Sequence, residues 1–267
     1  MIRAAVAGVA GRMGSRVAQI LGETDGLALA GGFEFPDHRL VGKDLAEAIG
    51  GSPTGMKIGG GIEDVLGCAD VIIDFTNAAS SLENLRSASA RGLPMVIGST
   101  GFTPEQLREA QKLAGSVSCV ISPNMSAGVN VLFKLVAEAA RLLGEGCDIE
   151  IVEAHHRFKK DAPSGTALKL ARVAAQALGR DLDQVGVYAR QGLIGERTGS
   201  EIGIQTIRGG DITGEHTVIF ASLGERIELV HKAHNRDNFA RGAVRAAKWV
   251  VGQPQGIYEM SDVLGIK

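Results

Sequence analysis

One stretch, Glu153-Ala-His-His-Arg-Phe-Lys-Lys-Asp-Ala-Pro-Ser-Gly-Thr-Ala167, holds the densest chemistry in the chain. Adjacent His155 and His156 are followed by Arg157, Lys159, Lys160 and Asp161, then by a Pro-Ser-Gly-Thr turn. The cluster separates an apolar run, Ile149 to Val152, from a helix-like run that begins at Ala167. If Ile149 to Ala154 is a strand, its side chains alternate, so His155 and His156 face opposite sides until the chain bends. Gly165 and Thr166 then open a helix, where backbone N–H groups and the helix dipole favour an anion. Lysine and histidine beside such amides suit a small carboxylate-bearing molecule and a proton transfer. The same residues also suit a plain helix start, capped by Asp161 or Ser164 with Pro163 in the first turn and the basic side chains solvated.

The elements that must position this cluster begin at the N-terminus. The apolar run Arg3 to Ala7 leads directly into Gly8-Val-Ala-Gly-Arg-Met-Gly14 and a helical stretch, Ser15 to Leu21. A strand that delivers a glycine turn into a helix lets backbone approach a pyrophosphate at the helix N-terminus. Ala10 stands where the usual Gly-x-Gly-x-x-Gly has its middle glycine, and the turn also suits plain close packing of helix on strand. A second strand, Leu27 to Gly32, is followed by Glu34, placed as a dinucleotide fold places the acid that accepts from ribose hydroxyls. Phe35 can pack on an adenine face. His38, Arg39 and Lys43 are close enough in sequence to neutralise a 2′-phosphate, and they equally suit a solvated loop.

Strand and helix patterns then alternate: Asp70 to Phe75, Ala79 to Arg91, Pro94 to Ile97, Pro104 to Leu113 capped by Thr103, and Val117 to Ile121. This predicts an α/β, Rossmann-type, doubly wound parallel sheet with ligands at the carboxyl ends of its strands. Small polar corners fall at those ends, Thr76-Asn77, Gly98-Ser-Thr-Gly101 and Ser122-Pro-Asn-Met-Ser126, and with the glycine turn they favour a nicotinamide pocket. Each corner alone is also ordinary turn chemistry.

After a helix from Val129 to Leu143 the rhythm changes. Ile202 to Arg208, His216 to Ala221 and Arg226 to Ala233 follow one another as strands without helices between them, which predicts a second α+β domain with an open, mainly antiparallel sheet. Asp211, Glu215, His216 and His231 read as hairpin and sheet polar residues. The last helix, Asn238 to Val251, has an apolar stripe and should return to the first domain. The predicted division is residues 1–126 with 237–267 for dinucleotide binding, and 127–236 for substrate binding and oligomerisation.

Bulk composition is that of an ordinary soluble globular protein: 267 residues, 45% hydrophobic, 22% charged, formal net charge -2. Nothing in it points to nucleic acid or an anionic membrane. Cys68, Cys119 and Cys147 form neither a disulfide framework nor a metal-ligand spacing, so no metal site and a reducing cytoplasmic location are expected.

Taken together, Gly8-x-x-Gly-Arg-Met-Gly14, Gly98-Ser-Thr-Gly-Phe102, Asn124-Met-Ser-x-Gly-Val-Asn130, Glu153-Ala-His-His-Arg-x-Lys159, Asp161-Ala-Pro-Ser-Gly-Thr166 and Gly214-Glu-His216 closely resemble the 4-hydroxy-tetrahydrodipicolinate reductase family, formerly dihydrodipicolinate reductase, nearly end to end. The resemblance implies an enzyme of diaminopimelate and lysine biosynthesis that uses NADH or NADPH to reduce a cyclic dicarboxylate with loss of water. By family role, His155 is proton donor or acceptor and Lys159 proton donor. His156, Gly165 and Thr166 bind substrate. The dinucleotide lies on Gly8, Val9, Ala10, Gly11, Arg12 and Met13, on Glu34, on Gly98, Ser99 and Thr100, and on Ser122, Pro123, Asn124 and Met125. A homotetramer with a hinge between domains is implied as well. Many members carry Arg after the ribose-binding Glu, where this chain has Phe35. That weakens the case for NADPH preference, and NADH is expected to serve at least as well. Two other classes fit parts of the pattern: another two-domain imine reductase such as an aspartate dehydrogenase, and a non-catalytic dinucleotide-sensing protein.

Overall fold

The computed structural model describes residues 1–266. The chain divides into two compact units, Met1–Ala127 with Asp237–Lys267, and Gly128–Arg236.

The first unit is built on six parallel strands: β1 (Ile2–Ala7), β2 (Leu27–Phe33), β3 (Val71–Asp74), β4 (Met95–Ile97), β5 (Ser118–Ile121) and β11 (Gly256–Tyr258). Their order across the sheet is β2-β1-β3-β4-β5-β11. Apolar runs such as Ala4–Ala7 and Val71–Ile73 are wholly buried because helices cover both faces, which is why these strands show no polar alternation. Ala4 and Val6 pack with α1 (Arg12–Gly22) and α8 (Asp237–Val250). Ala5 and Ala7 pack toward α3 (Ala78–Ser89) and α4 (Pro104–Leu113). Shorter helices α2 (Ala46–Ile49) and α9 (Met260–Leu264) complete this unit.

Helix starts follow their sequence signals. The Asn77 side chain accepts from Ser80 N to cap α3, and Thr103 and Gln106 form a reciprocal capping box on α4 behind Pro104. Helix α8 packs its apolar face, Ala240, Ala243, Val244, Ala247 and Val250, into the core of this unit. Its first residue, Asp237, receives Arg16 of α1 in a bidentate pair at 2.6 Å. Strand β11, too short to show a pattern, was not anticipated; it exists because the edge of β5 offers it a ladder.

The second unit contains α5 (Ala127–Leu143), β6 (Asp148–His155), α6 (Gly165–Ala177), α7 (Leu182–Val185), β7 (Gly186–Val187), β8 (Ile202–Arg208), β9 (Gly214–Ser222) and β10 (Glu225–Ala233). Its sheet order is β10-β9-β6-β8-β7. Here the structure corrects the expected run of adjacent antiparallel strands. Strands β8 and β9 are not neighbours: β6 lies between them, parallel to β8 and antiparallel to β9, so the sheet is mixed. Only β9 and β10 form the hairpin that the Leu223-Gly224 turn suggested. The reason lies in Gly209–Thr213, which is long enough to carry the chain across the end of β6. Gly209 N donates to His155 O at 3.0 Å and Arg157 N to Gly210 O at 3.2 Å, so this crossing loop is laced to the His155–Arg157 segment.

Candidate active site

Period-two alternation builds the centre of the second unit. Ile149 and Ile151 of β6 point into a core shared with α5 and α6, and Glu153 and His155 continue the same face where the core ends. Register brings Thr206 and Arg208 of β8 to one side of them and His216 of β9 to the other. Glu153 has a side chain with 0% exposure, yet it is fully engaged. Arg208 donates to both its oxygens at 2.8 Å, Ser164 N to Oε1 at 2.9 Å, and His155 Nδ1 meets Oε2 at 2.7 Å. Burial acts to raise this carboxyl, but Arg208, His155 and the Ser164 amide outweigh it and hold the pKa at about 2. His155 is lowered from 6.5, chiefly by burial, with Lys159 and Arg208 pushing the same way and Glu153 opposing. It is therefore a neutral imidazole at neutral pH.

The start of α6 closes over this face. Ser164 is its cap, and Pro163 precedes the cap instead of lying in the first turn. Ser164 Oγ accepts from Ala167 N at 3.2 Å and meets His216 Nε2 at 3.1 Å. Gly165 is exposed and Thr166 half-buried in the opening turn. His216, 4% exposed, lies edge-on to His155 with ring centroids 5.3 Å apart, and burial pushes its pKa down to about 3. Beyond β6 the chain bends: Lys159 N donates to His156 O, and Lys159 Nζ pairs with Asp161 at 2.9 Å. His156 is half-buried, and its Nδ1 is buried without a hydrogen-bond partner.

In the first unit the glycine turn sits where strand order reverses, between β1 and its two neighbours β2 and β3. Gly8 takes φ +64°, and a side chain at Gly14 would run into Gly8 O, so both glycines are demanded by the turn. Glu34 Oε1 accepts from Ala10 N at 2.8 Å, tying the acid after β2 to the turn after β1. Val9 and Met125 are buried in the core, Met13 packs against it, and Gly11 and Arg12 are exposed at the start of α1.

The three small polar corners are held by hydrogen bonds of their own. Buried Asp74 accepts from Thr76 N, Thr76 Oγ1, Ser81 Oγ and Asn84 Nδ2 at 2.6–2.9 Å, and Ser81 Oγ meets Ser99 Oγ at 2.8 Å. That chain of hydrogen bonds anchors Gly98–Thr100, with Thr100 exposed. Ser122 Oγ donates to Asn124 O, and Pro123 faces solvent. A cavity of about 620 Å³ runs from Gly8 and Gly11 past Glu34 and Phe35 to Asn77 and Glu83. Neither Arg39 nor Lys43 lines it, and Lys43 pairs with Glu47 at 3.5 Å.

Residues 2–125 match the family model described as dihydrodipicolinate reductase, N-terminus, and residues 128–264 match dihydrodipicolinate reductase, C-terminus. The chain belongs to the dihydrodipicolinate reductase family. Over the full length of both chains it is 71% identical to 4-hydroxy-tetrahydrodipicolinate reductase of Syntrophobacter fumaroxidans and 54% identical to that of Syntrophus aciditrophicus. Among solved structures, a dipicolinate-bound dihydrodipicolinate reductase from Paenisporosarcina sp. TG-14 superposes with a TM-score of 0.76 at 26% identity, covering 97% of each chain.

Within this dihydrodipicolinate reductase fold, sequence reading overlooked how four side chains organise the histidine cluster. Glu153 was quoted only as part of a motif, Ser164 as a candidate helix cap, which it is, Arg208 as a strand end, and His216 as a sheet polar residue and part of a motif. The signal for Glu153 was present: an acid on the buried side of an apolar alternation requires a cationic partner. Arg208 and His216 were hidden because their pairing depends on β6 lying between β8 and β9.

Proposed function

We propose that the chain reduces 4-hydroxy-tetrahydrodipicolinate to tetrahydrodipicolinate, with loss of water, at the expense of NADH or NADPH. The observation that carries the reading is the arrangement at the end of β6: a neutral His155 held by a buried carboxylate, within electrostatic reach of the Lys159 ammonium, under a helix start. A ring bearing two carboxylates needs fixed positive charge and oriented N–H donors, which Lys159, His156 and the Gly165–Thr166 turn supply.

The chemistry is a hydride and a proton. His155 takes the proton from the ring carbon beside the imine, the C–H electrons form the ring double bond, and the departing hydroxyl leaves as water with a proton from Lys159. When bound, the reduced nicotinamide supplies a hydride to the carbon that lost the hydroxyl. Electrons shift onto the imine nitrogen as an enamine, and His155 returns its proton to the neighbouring carbon. Lys159 is recharged from solvent, so one proton is consumed per turnover.

The nicotinamide cofactor is assigned to Gly8–Met13, Glu34, Gly98–Thr100 and Ser122–Met125. Glu34 suits ribose hydroxyls, exposed Phe35 suits an adenine face, and the glutamates in the cavity lining repel a 2′-phosphate. A homotetramer in the cytoplasm is part of the same proposal. The half-exposed Ile207 and Val230, on the sheet face away from α5 and α6, give such an assembly an apolar surface to cover. No helix among the described residues is long and apolar enough to cross a membrane.

The test is an assay with substrate generated in place by the preceding synthase, run in parallel with each cofactor. Reduced-nicotinamide absorbance should fall only when synthase product is present, with a Michaelis constant for NADH no higher than that for NADPH. No fall with either cofactor overturns the function; a tenfold lower constant for NADPH overturns the cofactor assignment.

A further inference from the structure

We propose that Glu153 is a positioning residue that fixes the tautomer of His155, holding the imidazole proton on Nδ1 so that Nε2 presents the lone pair that exchanges a proton with the substrate. This rests on the reading of His155 as the group that takes and returns that proton.

The argument is a count of donors and acceptors. Glu153 Oε1 receives Arg208 Nη2, Ser164 N and, at 3.3 Å, Thr206 Oγ1. Oε2 receives Arg208 Nη1 and lies 2.7 Å from His155 Nδ1. An ionised carboxylate has no proton to give, so at this last contact the imidazole must donate. A neutral imidazole that donates from Nδ1 is unprotonated at Nε2.

No other group facing His155 reverses the assignment. Lys159 on the following loop and Arg208 on β8 are cations, and each disfavours a second proton on the ring. His216 of β9 lies edge-on with its own Nε2 on Ser164, and His231 of β10 is paired opposite His216. Position 214 faces Nε2: a methyl there would come within 3.0 Å of it, so glycine keeps the lone pair uncovered. Arg208 gives Glu153 a second function, because its fork holds both carboxylate oxygens in one plane and so sets the direction in which the imidazole is pulled.

The mechanism then requires this tautomer. With the proton on Nε2 the ring would meet the substrate with a donor, and no base would be available to start the loss of water. In Glu153→Gln one oxygen is replaced by an amide donor, which favours the opposite tautomer.

Nitrogen NMR on histidine-labelled protein reads the tautomer directly, and steady-state kinetics reads its consequence. In the wild type His155 should be neutral with the proton on Nδ1. Glu153→Gln should move the proton to Nε2, lower kcat on the order of a hundredfold or more, and leave dinucleotide affinity unchanged. Its acid limb of kcat/KM should shift to lower pH, since the group that raises the His155 pKa is gone. Glu153→Asp, which keeps a carboxylate, should restore the Nδ1 tautomer and most of the turnover. A wild-type His155 protonated on Nε2 overturns the proposal even if Glu153→Gln does not fold, and so does wild-type turnover in Glu153→Gln. Full activity in His155→Gln would instead overturn the role given to His155 while leaving the tautomer result standing.

Discussion

Lys159 pairs with Asp161 two residues on, which keeps its ammonium in a defined place, and at 21% side-chain exposure it is only partly solvated. Removing it in Lys159→Ala should lower turnover by roughly 10²–10⁴-fold, the usual contribution of a positioned acid. Dinucleotide affinity, measured by quenching or enhancement of nicotinamide fluorescence, should stay within about twofold, because the assigned cofactor residues all belong to the other unit. Normal turnover in that variant would remove Lys159 from the reaction.

Buried histidines also tie stability to pH. His216 has a folded pKa of about 3 against 6.5 in the unfolded chain, so as pH falls below 6.5 the unfolded state takes up the proton first. The stabilisation is complete above 6.5 and is lost on the way down to about 3, at up to about 1.4 kcal/mol per pH unit. His155 acts in the same direction, and Glu153 adds its own loss as pH falls from 4.5 through about 2. Thermal melts should therefore drop by roughly 5–10 °C between pH 6.5 and 4.5. A melting temperature flat across that range would mean that His216 is not the buried neutral group described. At this scale the sequence was most legible for residues grouped in one run, His155 to Thr166. It was least legible for Arg208 and His216, each more than forty residues away along the chain and reached only through strand order.

Elements place these side chains, and two turns of the first unit depend on close backbone approach, Gly14 on Gly8 and Gly242 on Met125. Helix α8 passes so near the corner after β5 that a side chain at Gly242 would run into Met125 O. Gly242→Ala should push the corner aside, cost about 1–3 kcal/mol and raise the Michaelis constant for the dinucleotide. The effect of Lys159→Ala on turnover should remain unchanged in that background. Unaltered stability and cofactor binding would show that the corner tolerates the shift and is not part of the cofactor site. Most helices and parallel strands could be read from sequence because capping residues, glycine turns and fully apolar runs are local signals, as at Thr103–Gln106 on α4. Strand pairing is not local. The segments at β8, β9 and β10 were recognisable as strands, but Gly209–Thr213 looks the same whether it turns a hairpin or steps over a neighbour. Only the finished sheet shows that it does the second.

For the whole molecule, the family gives the chain its reaction, and its two units divide the proposed labour. Sedimentation at micromolar concentration should report a tetramer, and Val230→Glu, which puts a charge on the half-exposed face of β10, should shift it toward smaller species. A monomeric wild type would contradict the assembly without touching the chemistry. The central claim is that one hydride from nicotinamide and one proton arrive on adjacent carbons of a cyclic dicarboxylate. It is tested most directly by supplying NADH deuterated at its transferable position, with synthase-generated substrate, and examining the product by proton NMR. The account predicts one deuterium per turnover on the ring carbon that lost the hydroxyl, beside a carbon that carries none from the cofactor. Product free of deuterium, or deuterium at any other position, would contradict it.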